Sequence, residues 1–419
     1  MRLLHLIALL TVAFVAANGS EDPLIAKYPG LVSWFTSNGG TQDQRITIGY
    51  DENGIRGLIA TEAIPKDTIL INCPGDLVFR QKTDQCTAIE DIVQHLKTGE
   101  KSKWHTYFEF DDSMGSRIPS EWEEDSRVID ELQGLPPAGE THRHINWYKN
   151  ECKKGEEPSD VEMRAFKIFL TRAADIGLIP MYDLMNHHNG LINTSLRRTD
   201  DGMGLTVLAL TDIAAGEQIW NTYARSGWES SIDVFSTYGF VESYPQLWQW
   251  SDNDLDAKNE ENEGHHFSRY MAANDENEQN LLQPNSNKYE VLVLAPDIAA
   301  LYPTTQLVSI LGNGQRSLEE WKEVIDEHHR VLRSSRVHDL QASVKAYFEF
   351  VLPTTIEEDE KILSKEKYLL DKVSRKGRVD LVKADVVQAI QYRLAFKKAM
   401  KLAADVVEAG QFFDDSDEL

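Results

Sequence analysis

The sequence predicts an α+β protein, in which a strand-rich fold holds a helical insert and is followed by an α-helical C-terminal domain. Three observations support this fold class. Apolar residues alternate between Gly- and Pro-containing turns in residues 44–80, and a second strand-like stretch occupies residues 204–223. Between these stretches, in residues 89–174, apolar residues recur at helical spacing. The same spacing continues almost without a break through residues 317–410.

The first segment has the composition of a secretory signal peptide. An apolar run from Leu3 to Ala17 follows one arginine, and it ends in small residues before a polar stretch. The run is shorter than the roughly 20 residues that span a bilayer. We therefore assign residues 1–17 to a signal peptide and expect no stable membrane span after its cleavage. A short membrane anchor is the alternative.

Changes in composition divide the rest of the chain. The predicted parts are a strand-rich domain, an acidic loop, a helical domain and an acidic tail, at residues 18–250, 251–285, 286–410 and 411–419. The helical insert occupies about 87–175, and Pro158, Ser159 and Asp160 provide the start of its last helix. The helical domain begins with an apolar segment, residues 288–295, which we interpret as an isolated strand.

Composition and charge narrow the class of protein. With 41% hydrophobic and 26% charged residues, the 419-residue chain is typical of a folded protein with a sizeable core. Its formal charge of -25 argues against a nucleic-acid partner, because neutralising phosphates needs a surplus of Lys and Arg. A basic protein partner suits this charge better, and we expect a monomer. Acidity that serves solubility alone is the alternative.

The chain ends in a sequence similar to a retention signal. Its last residues, Ser416-Asp417-Glu418-Leu419, resemble the Lys-Asp-Glu-Leu tail read by the receptor that returns proteins to the endoplasmic reticulum, with serine in place of lysine. Together with the signal peptide, this tail predicts a protein of the secretory pathway that is kept in the lumen of the endoplasmic reticulum. A solvated acidic end on an exported protein is the alternative.

Cysteine and glycosylation patterns add two expectations. Cys73, Cys86 and Cys152 are odd in number and lack Cys-x-x-Cys spacing, so we predict neither a disulfide framework nor a zinc cluster. Asn18 and Asn193 each stand in an Asn-x-Ser/Thr pattern. We expect Asn193 to be unmodified, because a glycan there would crowd the motif described next.

Residues 178–196 carry a polar motif directly after an apolar run. Asp183, His187 and His188 are the side chains that a metal ion would use. Their spacing is poor for that role, since helical zinc sites place histidines three or four residues apart. A second alternative is that the apolar residues are core and Asn186-His187 is only a turn. We expect Asp183 to be hydrogen bonded, because an unpaired buried carboxylate is costly.

The order of the motifs along the chain points to a family. The polar motif is followed by the strand-like residues 204–223 and then by "SSIDVFSTYGFVES", and it is preceded by "NGIRGLIATEAIPKDTILINCP". This set resembles the SET-domain protein methyltransferases of the Rubisco large-subunit methyltransferase type. The resemblance covers roughly residues 53–400. It implies a SET-domain β-fold with a helical insert, followed by an α-helical substrate-binding domain.

The resemblance implies S-adenosylmethionine as cofactor and a set of residues that bind it. Gly54 and Gly57, with the intervening Arg56, would let the backbone approach the cofactor closely, since glycine has no side chain to obstruct. The family further implies that the backbone of Asn186 and His187 holds the adenine edge. Two more cofactor-binding residues are implied: Arg172, beside the cofactor, and Phe240, against the adenine ring.

Two tyrosines are implied to be catalytic. Tyr223 stands where the family has the tyrosine that lines the target channel, and Tyr238 would close the other side. A phenol there can orient the amine lone pair and stabilise the charge that develops near the methyl group. No general base is obvious, so the target lysine would lose its proton to solvent before transfer. An ordinary buried tyrosine is the alternative at each position.

The leading hypothesis is therefore a protein-lysine N-methyltransferase. Methylation of a protein histidine, which relatives of this architecture perform, is a close variant. The rival is a catalytically silent SET fold that acts as a lumenal binding module. It is motivated by the compartment and by Ser230-Ser231, which replaces the Ser-Asn pair that the family often shows after the catalytic tyrosine.

Overall fold

The computed structural model describes most of the chain between residues 23 and 408. The described residues are 23–51, 55–80, 84–112, 117–122, 126–135, 141–174, 176–190, 192–199, 202–223, 228–251, 288–302, 320, 323, 354–374 and 380–408. The predicted signal peptide, the acidic tail and residues 252–287, which hold almost all of the acidic loop, lie outside them. Among the described residues, no helix combines the length and the apolar character that crossing a bilayer requires.

The fold divides into two compact units, which are described in turn. The first unit takes its described residues from Met1–Gly115, Glu151–His187 and Ile192–Asn221. The second takes them from Ser116–Asn150, His188–Leu191 and Thr222–Leu419. The predicted helical insert thus contributes to both units.

The first unit is built from short strands. They are β1 Thr41–Gln42, β2 Ile46–Tyr50, β3 Arg56–Ala60, β4 Ile69–Cys73, β5 Phe79–Arg80, β6 Ala173–Ala174, β7 Gly177–Leu178, β8 Asn186–His187, β9 Thr194–Arg198, β10 Leu205–Ala209 and β11 Trp220–Asn221. They form a four-stranded sheet in the order β1-β4-β10-β9, a β2-β3 hairpin, a β5-β7-β6 sheet and a β8-β11 pair. All neighbours are antiparallel except β8 and β11, which are parallel. The strands predicted in residues 44–80 and 204–223 are confirmed.

Four helices accompany these strands. They are α1 Pro23–Ser37, α2 Gln85–Thr98, α3 His105–Asp112 and, later in the chain, α6 Asp160–Arg172. Helix α6 begins where the sequence predicts, because Glu162 turns back to accept hydrogen bonds from the backbone N–H and the hydroxyl of Ser159, at 2.8 and 2.7 Å. Short 3-10 turns add Gly75–Leu77, Gly99–Lys101 and Tyr182–Leu184.

One disulfide closes part of the helical insert. Cys86, at the start of α2, is bonded to Cys152, which ends a π-helical turn at Tyr148–Cys152, with 5.2 Å between the Cα atoms. The prediction that the three cysteines form no disulfide framework missed this bond. An odd count excludes a fully paired set but not one pair, and only the packed helices bring Cys86 and Cys152 together. Cys73 stays a buried free thiol.

The second unit contains a three-stranded antiparallel sheet in the order β12-β13-β14. Its strands are β12 Gln246–Ser251, β13 Lys288–Ala295 and β14 Ile298–Tyr302. The interpretation of residues 288–295 as an isolated strand is therefore wrong: β13 pairs with β12 on one side and β14 on the other. Both pairings satisfy backbone groups that a lone strand would leave without partners.

Helices cover this sheet and build the core of the second unit. They are α4 Arg127–Asp130, α5 Arg143–Trp147, α7 Ser231–Tyr238, α8 Ile356–Ser374 and α9 Leu381–Glu408, with a 3-10 turn at Pro119–Glu121. Helix α9 lies within residues 317–410, for which helical spacing predicts helices, and this part of the prediction is confirmed. The aromatic centre of the core is Phe235 of α7, whose ring stacks on Tyr392 of α9 with centroids 4.1 Å apart. Trp248 of β12 packs on the same tyrosine.

A fully buried ion network joins α8, α9 and the insert. Asp359 of α8 accepts from Arg393 at 2.8 Å and from Lys397 at 2.6 Å, and all three side chains are completely buried. Arg393 also donates to Glu131, at the end of α4, at 2.7 Å. Because an unpaired buried charge is costly, this network fixes the register of the three segments against each other.

Candidate active site

Gly57 lies in a tight contact at the start of β3. A Cβ atom at this position would come within 2.6 Å of the side-chain carbon of the Gln218 amide and within 2.8 Å of Asn186 Nδ2. No such contact is tolerated between real atoms, so a side chain at position 57 displaces one of these amides. Packing within the chain therefore requires glycine here. The approach of a cofactor to Gly57 stays a prediction. Gly54 lies outside the described residues.

Asn186 and His187 form β8, which runs parallel to β11. Asn186 lies opposite Trp220 and His187 opposite Asn221. The Asn186 side chain is used internally, since its Nδ2 donates to the Arg56 carbonyl and to Gln218 Oε1, both at 2.6 Å. The structure therefore brings Arg56, Gly57, Asn186 and His187 together. Because its side-chain amide is already hydrogen bonded within the protein, Asn186 would make the predicted cofactor contact through its backbone.

Arg172, at the end of α6, is held by two acceptors. Its Nε donates to Asp111 at 3.0 Å, and its terminal nitrogen donates to the Asp183 carbonyl at 2.8 Å. These bonds fix the 3-10 turn Tyr182–Leu184 just before β8. A direct contact of Arg172 with a cofactor stays a prediction.

Asp183 is a buried carboxyl that accepts a hydrogen bond from the hydroxyl of Tyr107, so the prediction that it is hydrogen bonded is confirmed. Its other oxygen is buried and has no partner among the described residues. Burial raises the pKa of Asp183 to about 7, against the lowering effect of Arg172. Burial, with the charge of Asp183 next, also raises the pKa of Tyr107 well above its usual value.

Tyr223, Tyr238 and Phe240 come together in the second unit. The rings of Tyr223 and Tyr238 lie 4.7 Å apart at 50°, and Tyr238 lies 6.1 Å from the ring of Phe240. All three side chains are half-buried rather than enclosed. Helix α7 ends at Tyr238 because Gly239 takes a left-handed conformation, with φ of 79°, that terminates the helix. The fold therefore places the two predicted catalytic tyrosines side by side.

Ser230 and Ser231 have clear structural roles. Ser230 caps α7, with its hydroxyl accepting from the Ile232 N–H at 3.3 Å. The Ser231 hydroxyl donates to Glu242 Oε1 at 2.6 Å, and Asn189 Nδ2 donates to the same oxygen at 3.1 Å. Ser230 and Ser231, which depart from the family pattern, therefore have structural roles: Ser230 caps the start of α7, and Ser231 donates a hydrogen bond to a buried carboxyl.

Two carboxyls of the second unit, the buried Glu242 and the half-buried Glu229, were not found from the sequence. Burial raises the pKa of Glu242 to about 7. Burial and the nearby charge of Asp233 raise the pKa of Glu229 to about 7 as well. Asp233 forms an ion pair with Arg143 at 3.2 Å. Nothing in the sequence pattern marks Glu229 or Glu242, because their burial depends on contacts far along the chain.

His188 and His144 are neutral near pH 7, and the described histidines do not assemble into a metal site. Burial lowers the pKa of His188 to about 4 and that of His144 to about 3. Across the described parts of the chain, no three His, Cys, Asp or Glu side chains are grouped as metal ligands. Asn193 is completely buried, and its Nδ2 donates to the Gln218 carbonyl at 2.9 Å. A glycan cannot be attached to this side chain in the folded protein.

The predicted site residues fall into two groups. Arg56, Gly57, Arg172, Asn186 and His187 belong to the first unit. Tyr223, Tyr238 and Phe240 belong to the second, and the change of unit along the chain comes between Asn221 and Thr222. Their individual roles stay predictions. Gln218, which contacts both Gly57 and Asn186, was missed, although a polar residue inside a strand-like stretch is a usable signal.

Comparison with known proteins identifies the class of fold. Residues 55–224 match the model of the SET domain. Solved structures of the same architecture are the SET domain of LSMT bound to lysine and AdoHcy, with a TM-score of 0.54, and Rubisco LSMT bound to AdoMet, also 0.54. The first is 19% identical and covers 94% of this chain and 92% of that one, and the second is 18% identical and covers 92% of each.

Sequence relatives are protein methyltransferases. The actin-histidine N-methyltransferase of Gallus gallus is 25% identical over 275 residues, which cover 54% of this chain and 44% of that protein. The Homo sapiens enzyme is 24% identical over 265 residues, which cover 51% and 42%. The match thus spans less than half the length of these relatives. The chain carries a SET domain, and the predicted α+β class with this fold and a helical C-terminal region is confirmed.

Proposed function

We propose that this protein is an S-adenosylmethionine-dependent protein methyltransferase, with a lysine side chain as its target. The observation that carries the proposal is the fold, which matches LSMT structures that hold AdoMet in one case and lysine with AdoHcy in another. The SET match takes in Arg56 and Gly57 at one end and Tyr223 at the other.

The residues of this chain fit such a donor. The half-buried rings of Tyr238 and Phe240 offer an aromatic surface on which a purine can stack. In the first unit, strand β8 offers the backbone of Asn186 and His187.

The proposed reaction needs little covalent chemistry from the protein. S-Adenosylmethionine supplies an activated methyl group: as the substrate nitrogen attacks, a C–N bond forms, the C–S bond breaks and its electron pair stays on sulfur. A lysine amine must be neutral for this attack, so its proton leaves to water beforehand. Tyr223 then has two tasks, to orient the nitrogen lone pair with its hydroxyl and to exclude water with its ring.

Methylation of a protein histidine is the second candidate, and the relatives named above favour it. An imidazole attacks through its unprotonated nitrogen, so it needs an acceptor for the proton on its other nitrogen. Burial raises the pKa values of Glu229 and Glu242 to about 7, the range that suits a proton acceptor at neutral pH.

The compartment and the partner complete the proposal. The disulfide between Cys86 and Cys152 favours an oxidising compartment, as the lumen of the endoplasmic reticulum is. The net charge of -25 favours a basic protein substrate over an acidic one. We propose that the chain works there as a monomer.

Titration calorimetry with S-adenosylmethionine tests this proposal against the silent binding module. A methyltransferase binds both the donor and S-adenosylhomocysteine, whereas an inert module has no need of either. We expect saturable binding of both by the purified chain. A folded chain that releases no heat with either compound, and whose melting temperature neither compound raises, contradicts the proposed function.

A further inference from the structure

Gln218 is a fully buried polar residue to which neither the sequence motifs nor the proposed chemistry assign a role. Only 2% of its surface is exposed. It lies beside β3, since Gln218 bridges Ile59 in an antiparallel fashion and the neighbouring Ile219 N–H donates to the Leu58 carbonyl at 2.7 Å. This pairing directs the side chain past Gly57.

The two ends of the Gln218 amide join different segments. Its Oε1 accepts from Asn186 Nδ2 at 2.6 Å. Its Nε2 donates to Asp51 Oδ2 at 3.2 Å and lies 3.5 Å from the Ile55 carbonyl. One amide thus connects β8 to Asp51, directly after β2, and to Ile55, directly before β3.

The partners of Gln218 are themselves connected. Asn186 Nδ2 donates also to the Arg56 carbonyl at 2.6 Å. Asp51 Oδ1 accepts from the Ile55 N–H at 2.8 Å, and the Asp51 N–H donates to the Ile55 carbonyl at 3.0 Å. The result is a closed set of bonds, which requires both an acceptor and a donor at position 218.

We propose that Gln218 is a positioning residue for donor binding, an inference that rests on the proposed function. It holds Asn186, Asp51 and Ile55 in one arrangement, so that the backbone at Arg56, Gly57 and Asn186 is preset for the methyl donor. A preset site binds more tightly because no ordering cost arises on binding. The tight packing of Gly57 against the Gln218 side-chain amide helps to hold the same arrangement.

The Gln218→Glu substitution tests this role with almost no change in shape. The carboxylate still accepts from Asn186, but its second oxygen now faces the carboxylate of Asp51, and the two repel. We expect the dissociation constant for S-adenosylmethionine to rise about tenfold or more in calorimetry. We expect KM for the donor to rise likewise, with kcat at saturating donor changed much less.

Rescue is the decisive part of the experiment. Adding Asp51→Asn supplies an amide donor to the new carboxylate, while its oxygen can still accept from Ile55. The double variant should therefore regain most of the donor affinity. The matched control is Gln42→Glu: Gln42 Nε2 donates to the Ile46 carbonyl at 2.9 Å, at the other end of β2. It should lower the melting temperature without changing donor affinity.

The outcomes separate the two claims. If the wild-type chain binds no donor, the proposed function is wrong and the role of Gln218 is wrong with it. If the wild-type chain binds donor and folded Gln218→Glu binds it equally well, or Asp51→Asn brings no rescue, only the role of Gln218 is wrong. Should Gln218→Glu not fold, Gln218→Met takes its place, with weaker donor binding expected and unchanged affinity contradicting the proposal.

Discussion

A substitution at Tyr223 is the single-residue change that tests the proposed chemistry most directly. Its ring lies 4.7 Å from that of Tyr238, so replacement by phenylalanine keeps the aromatic packing and removes one hydroxyl. We expect Tyr223→Phe to lower kcat about a hundredfold or more, with donor affinity nearly unchanged, because the hydroxyl acts mainly in the transition state. Steady-state kinetics and calorimetry measure the two quantities.

A matched control for this variant is Tyr28→Phe. It also removes one hydroxyl, which donates to Gln42 at 2.8 Å in the first unit. It should reduce stability and leave kcat unaltered. Full activity in Tyr223→Phe would show that the catalytic assignment is wrong.

Glu242 provides a pH-dependent prediction. Its carboxyl is buried and its pKa is raised to about 7, so the folded protein keeps a proton that the unfolded chain releases near its ordinary pKa. The contribution of Glu242 to folding therefore becomes less favourable as pH rises from about 4.5 to about 7, and is constant above. Glu242→Gln keeps an acceptor for Ser231 and lacks this dependence.

The measurement is urea unfolding of the wild-type and Glu242→Gln proteins at several pH values. The free energy of unfolding of the variant should rise relative to wild type by up to about 3 kcal/mol between pH 5 and pH 8. Taking the difference cancels the opposing effect of neutral buried histidines such as His188. An equal difference at both pH values would contradict the raised pKa.

Residues were predicted with unequal success, for a physical reason. Gly57 was singled out because glycine lets the backbone approach a neighbour closely. The structure packs it against Gln218 and Asn186, and its contact with a cofactor stays a prediction. The hydrogen bonding of Asp183 was anticipated because a buried carboxylate needs a donor, although Tyr107 as that donor could not be named. Glu229 and Glu242 were missed because their burial depends on tertiary contacts rather than on local pattern. Gln218 was missed although it is a polar residue within a strand-like stretch.

At the scale of elements, the disulfide makes a clear prediction. The bond between Cys86 and Cys152 closes a loop with a sequence separation of 66, which in the chain-entropy view contributes on the order of 4 kcal/mol to stability. Cys86→Ser should lower the melting temperature by about 10 °C in calorimetry. Cys152→Ser should have the same effect, and the double variant no greater one, since all three lose one bond. Losses that add up in the double variant would contradict the bond.

Elements with strong local signals were predicted, whereas their pairing was not. Helices α6 and α9 follow from capping residues and helical spacing. Strand β13 was predicted to be a strand, but its pairing with β12 was not. Residues 252–287 separate the two strands in sequence, so no local pattern could predict the pairing. The bond between Cys86 and Cys152 was missed for the same reason.

At the scale of the whole molecule, the predicted retention in the lumen of the endoplasmic reticulum can be tested directly. Deleting Ser416-Asp417-Glu418-Leu419 should cause secretion if a receptor reads this tail. The measurement is imaging, and immunoblotting of the medium, with a tag placed internally so that the terminus stays free. If the intact and truncated proteins are distributed identically, the retention prediction is wrong, and only the prediction of entry into the secretory pathway remains.

The central claim is transfer of a methyl group to a protein, and a labelled donor tests it most directly. Purified protein is incubated with methyl-labelled S-adenosylmethionine and a peptide array or lysate, with Tyr223→Phe in parallel. Mass spectrometry then locates the label. We expect label on a lysine side chain for the wild-type protein and little for the variant; label on histidine would support the second candidate. A chain that binds the donor but transfers no label to any protein would contradict the claim.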